Sequence, residues 1–99
     1  MKRQPIDNGN WFDIEAAKQF HESTFWNGSN HISVNTNCQW SHESLYRTKS
    51  KKWVLNCWSG YQGSRETWEE IENEAAAKWL VKNHHDHPDV ADEIAELEI

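Results

Sequence analysis

The sequence has little of what usually announces chemistry. Its 99 residues hold only two cysteines, two prolines and four glycines. They contain no glycine-rich phosphate loop and no nucleophile elbow, so nothing points to a nucleoside triphosphatase or a serine hydrolase. No apolar run approaches the roughly 20 residues that cross a bilayer, and a membrane association is not expected. Met1 to Pro5 lead into no hydrophobic signal core, so the expectation is a soluble, cytoplasmic protein in which Cys38 and Cys57 stay reduced. Basic residues are scarce at one end. Residues 66–99 hold two Lys or Arg against eleven Asp or Glu, a balance of −9, whereas residues 1–65 hold eight against five, a balance of +3. The acidic third repels duplex nucleic acid and suits a protein partner with a basic surface.

Tryptophan is what the chain has in abundance, with seven spread along its length. That spacing reads as core and framework, since each indole buries a large area once its N–H finds an acceptor. The length supports one domain, residues 1–99, with a modest core. Residues 1–10 read as a loose N-terminal segment. Asp13 is placed to cap a short helix carrying Ile14, Ala17 and Phe20 on one face. Alternation from Phe20 to Trp26 then predicts a strand, Asn27-Gly28 a two-residue turn, and His31 to Asn35 the returning strand.

The clearest unit is a hairpin of residues 43–48 and 53–59 around a polar turn. Centred on Ser50-Lys51, it pairs Tyr46 with Leu55, Thr48 with Trp53 and Ser44 with Cys57. Tyr46, Trp53, Leu55 and Cys57 then form the expected core face, with Leu45, Arg47, Val54, Asn56 and Trp58 opposite. Gly60 and Gly63 end the second strand, and Thr67 to Ile71 reads as another. Ala75, Ala76, Trp79 and Leu80 predict an amphipathic helix over 73–82 with Trp79 on the sheet. A second helix begins near Pro88. The fold class expected is α+β: an antiparallel sheet of four or five strands, a C-terminal helix packed on one face, and a short terminal helix in an acidic extension over 84–99.

Between the two helices stands KNHHDHPD, residues 82–89. Three histidines so close invite a metal, and His84, His85 and His87 are its candidate ligands. A joint accounts for the same residues: Asn83 suits the left-handed position after a helix, His84 and His85 meet its negative end, and Asp86 or His87 starts the next helix with Pro88 in its first turn. The joint is the reading adopted, with no cofactor. Cys38, His42 and Cys57, with His31, have no metal-ligand spacing. For catalysis the polar residues to weigh are Asn30, His31, Ser33, His42, Glu43, Arg47, Gln62 and Ser64, with His31, His42 and Arg47 the candidates for a small enzyme. Neighbouring residues of a strand face opposite ways, so His42 and Glu43 are poor mutual partners. Arg47, Lys49, Lys51 and Lys52 at the hairpin tip, with exposed tryptophans, allow a single-stranded nucleic-acid binder as a further alternative.

The stretches WNGSNHIS (26–33), QWSHESLYRT (39–48), KWVLNCWSGYQGSRETWEEI (52–71) and EAAAKWLVKN (74–83) resemble a family of small proteins encoded by bacteria, their phages and plasmids. The resemblance covers roughly residues 11–84. It implies a compact sheet with a C-terminal helix and carries no catalytic residue. Cys38 and Cys57 stand where small residues such as serine would be expected. A mobile-element setting favours a binding protein over an enzyme: a small acidic module that engages or inhibits a host machine, such as a nucleic-acid-handling defence complex. Its expected contact residues are Glu69, Glu70, Asp92, Glu93 and Glu96 with Trp58 and Trp68. Self-association through Val90, Ile94 and Leu97 is an additional possibility.

Overall fold

The computed structural model describes residues 1–60 and 63–99. Strands β1 (Arg3–Pro5) and β2 (Trp11–Asp13) form an N-terminal hairpin, and β4 (Thr24–Trp26) and β5 (His31–Ser33) form a second one. Between and beyond them, β3 (Lys18–His21), β6 (Ser41–Arg47), β7 (Trp53–Ser59) and β8 (Thr67–Ile71) make a four-stranded antiparallel sheet in the order β3-β6-β7-β8. Helix α1 (Asn73–Lys82) follows, then one 3-10 turn (Pro88–Val90) and helix α2 (Ala91–Glu96). The α+β class, the four-stranded sheet and both terminal helices are those the sequence predicts, and the bounds of β8 and α1 coincide with the predicted ones.

The central hairpin departs from its predicted register by one residue. Leu45 faces Leu55, Tyr46 faces Val54 and Arg47 faces Trp53, because the connection is the five-residue turn 48–52 with Lys51 at φ 65°. The extra residue is accommodated by Thr48, whose backbone N–H donates to the Lys52 carbonyl and whose Oγ1 accepts the Lys52 N–H. A slip of one position exchanges the faces of one strand relative to the other. Leu45 therefore joins Trp53 beneath α1, and Tyr46 joins Val54 on the opposite face.

Both faces are core. On one, Phe20, Leu45 and Trp53 pack with Ala76, Ala77, Trp79, Leu80 and Val90. The stripe of α1 is thus rotated slightly from the predicted one: Ala77 is buried and Ala75 is exposed. On the other face, Ile6, Phe12, Tyr46 and Val54 pack with Ile14, Ala17 and Trp68. The N-terminal segment expected to be loose contributes Ile6 to that layer. Its strand pairing and the Ile6 N–H to Asn10 carbonyl bond hold it in place.

Asp13 caps no helix. Its Oδ1 accepts the N–H groups of Lys2 and Glu15, turning the chain directly from β2 towards β3, and Ile14 and Ala17 reach the core from that turn. The strand predicted over 20–26 is interrupted at Glu22-Ser23. The Asn27-Gly28 signal does mark a turn, but of four residues: Asn27 Oδ1 accepts the N–H groups of Ser29 and Asn30, and Gly28 takes φ 102°. The returning strand ends at Ser33.

Candidate functional site

The histidine joint is built of protein contacts. Asn83 does not adopt the left-handed conformation, which falls on His84 with φ 62°. Asn83 is instead buried, and all of its amide is used. Its Oδ1 accepts the Ser23 N–H and Asn35 Nδ2, and its Nδ2 donates to Asn35 Oδ1 and the Trp79 carbonyl. His85 lies flat on Trp79, with interplanar angle 5°, and its Nε2 meets the His21 carbonyl at 2.7 Å. His87 sets its ring edge-on to Phe20 and Trp53, and its Nδ1 accepts the Asp89 N–H, starting the 3-10 turn with Pro88 at its head. Among the described residues no three His, Cys, Asp or Glu side chains are grouped to hold a metal ion.

His31, His42 and Arg47 are not brought together. His31 is exposed on the β4-β5 hairpin against the Trp26 ring. His42 and Arg47 stand five positions apart on β6, a separation of about 16 Å at strand rise, and point to opposite faces. Arg47 is occupied elsewhere: its guanidinium lies 4.4 Å from the Trp53 ring centroid and donates to Asp89 Oδ2 and the Lys51 carbonyl. The basic tip consequently offers only its lysines to a ligand. Gln62 lies outside the described residues.

The partner of His42 is Glu22, a residue that sequence reasoning missed. Glu22 follows β3 and sits across from the start of β6, continuing the pairing of His21 with Ser44. Its Oε1 accepts the Ser33 hydroxyl and the Glu43 N–H, and its Oε2 meets His42 Nδ1 at 2.6 Å. No spacing in the chain signals this pair, which exists only once β3 and β6 are in register. A carboxylate only accepts, so His42 Nδ1 carries the hydrogen, and in the neutral ring Nε2 is left as an acceptor. The His42 ring lines an open cleft of about 350 Å³ together with Thr36, Ser41, Cys57, Trp58, Ser59, Ser64 and Arg65.

Cys57 in that cleft is poorly suited to act as a nucleophile at neutral pH. Burial first, and then the adjacent Glu43 carboxylate, push its thiol up to about 11. Glu43 accepts the thiol at 3.6 Å and the Trp79 indole N–H at 3.0 Å, tying β6, β7 and α1 together.

The expected acidic contact residues divide. Glu69 and Glu70 are exposed but face opposite sides of β8, and Asn8 reaches Glu70. Glu93 and Glu96 of α2 converge with Glu72 and Glu74 at the start of α1, lining a hollow of about 570 Å³ with Asn73. Asp92 is exposed on α2. Trp58 is exposed, whereas Trp68 is half-buried against Phe12 and Tyr46 and belongs to the core. Val90 is wholly buried and Ile94 packs on the core, so of the three residues considered for self-association only Leu97 is exposed. Among the described residues no helix is long and apolar enough to cross a membrane. Comparison with protein-family models, with curated proteins and with solved structures finds no match to this chain.

Proposed function

We propose that this protein is a small acidic binding module, an accessory protein of a phage or other mobile element. In this reading it engages or inhibits a host machine through a basic surface of that machine, as on a nucleic-acid-handling defence complex. The supporting observation is the hollow between α1 and α2. Glu72, Glu74, Glu93 and Glu96 enter it from two helices and the residue preceding α1, and among the described residues none of the four forms an ion pair. Converging carboxylates repel one another, and a partner's lysines and arginines would relieve that repulsion while steering the encounter. The enzyme reading has no comparable support, since His31, His42 and Arg47 stand apart.

The test is capture from a bacterial extract on N-terminally tagged protein, with elution by salt. It is run beside a variant carrying Glu72, Glu74, Glu93 and Glu96→Lys. One stoichiometric, salt-released partner that the variant loses, at an unchanged unfolding midpoint, is the expected result. Equal capture by the variant, or no salt-released partner, would overturn the reading.

A further inference from the structure

We propose that the cleft at the far end of β7 binds a nucleotide, taking the base against Trp58 and the phosphate at Arg65. The cleft and the acidic hollow lie at opposite ends of that strand: Trp53 at its start pairs with Ile71 just before α1, and Cys57 to Ser59 at its end line the cleft. This inference is therefore independent of the acidic reading.

Three chemical features of the cleft define its ligand. Trp58 is 36% exposed and lies beside His42, with ring centroids 5.6 Å apart, so part of its indole is available to a flat ring. His42 Nε2 has no hydrogen-bond partner among the described residues, while Nδ1 is tied to Glu22, whose side chain is only 11% exposed. That carboxylate fixes the ring and leaves Nε2 to accept from a ligand O–H or N–H, as outer carboxylates orient working imidazoles elsewhere. Arg65 is exposed and forms no ion pair among the described residues, and its planar fork suits a phosphate. Ser41 and Ser64 also line the cleft. A ring face, a hydroxyl donor and one anionic group are together the chemistry of a nucleoside monophosphate. The volume of about 350 Å³ is at the small end of ligand sites and matches a ligand of that size.

No bond is made or broken in this proposal, in keeping with the protonated Cys57. The experiment is a titration of the isotopically labelled protein with adenosine 5′-monophosphate, adenosine and inorganic phosphate. It follows the His42 imidazole and Trp58 indole resonances, with calorimetry for affinity. The monophosphate is expected to shift both side chains and to bind about tenfold more tightly than adenosine or phosphate alone. Arg65→Gln should reduce its affinity to that of adenosine, and Trp58→Ala should weaken nucleotide and nucleoside alike, both with unchanged unfolding midpoints. Absence of these shifts at millimolar nucleotide would overturn the proposal. So would binding that both variants retain, or binding of an acidic sugar such as glucuronate in place of the nucleotide.

Discussion

The Asn83 side chain makes four hydrogen bonds within the fold. Its amide joins the end of α1 to Ser23 and Asn35, so one side chain fastens the base of the β4-β5 hairpin to the helix. Removing it leaves the part-buried Ser23 N–H and Asn35 amide without their partner and takes one bond from the Trp79 carbonyl. Asn83→Ala is expected to cost about 3 kcal/mol, measured by urea unfolding, with the loss coming from groups left unpaired rather than from volume. Cys57 makes a second prediction at this scale. With its thiol pushed up to about 11, iodoacetamide should modify it very slowly in the folded protein at neutral pH and rapidly only in strong alkali or denaturant. A thiol that reacted in the native state as fast as a free cysteine would contradict the burial and the Glu43 contact. The sequence marked Asn83 as a helix-end residue but placed it by its local conformational habit. Its role is set by two segments almost fifty and sixty positions away in the chain, which no local pattern can reveal.

At the level of elements, what could be read beforehand depended on whether the determining forces were local. Helix α1 and strand β8 follow from periodicity and composition, and they appear where expected. The helix expected at Asp13 does not form because its carboxylate accepts the N–H groups of both Lys2 and Glu15, which favours a tight turn. The faces of the central hairpin could not be assigned by asking which one is apolar, because both are buried. Glu22 and His42 were equally hidden, since their contact follows from the pairing of β3 with β6. The 3-10 turn and α2 look like an acidic appendage in the sequence, yet Val90 is fully enclosed by the α1 layer. Val90→Ala should therefore lower stability by about 2 kcal/mol in denaturant titration, whereas Leu97→Ser should leave it nearly unchanged. Equal sensitivity at both positions would mean that the segment is covered by something other than its own core.

As a whole the molecule is a thin body, 40 × 39 × 20 Å, with one four-stranded sheet and a packed layer on each side of it. Its two outer layers come from the two ends of the chain, and an aspartate secures each. Asp13 accepts the Lys2 N–H, the larger cause of its lowered pKa, and Asp89 is held low first by its bond from Arg47. A carboxyl group with a folded pKa below its ordinary 3.8 stabilises the fold fully above that value and loses the contribution as pH falls through the lowered one. The stability that these two groups supply should thus be constant near neutrality and decline in acid. Asp89→Asn should flatten the acid limb of a plot of unfolding midpoint against pH, and an unaltered limb would show that the Arg47 bond does not persist in solution. The five-residue turn at 48–52 has a consequence for descent as well as for folding. Surface loops are where related chains ordinarily gain and lose residues. Here the loss of one would send Trp53 and Leu55 into the layer of Phe12 and Tyr46, and Val54 into the layer beneath α1. Relatives of this protein should accordingly differ in length at Asn27–Asn30 while keeping the Thr48–Lys52 interval invariant.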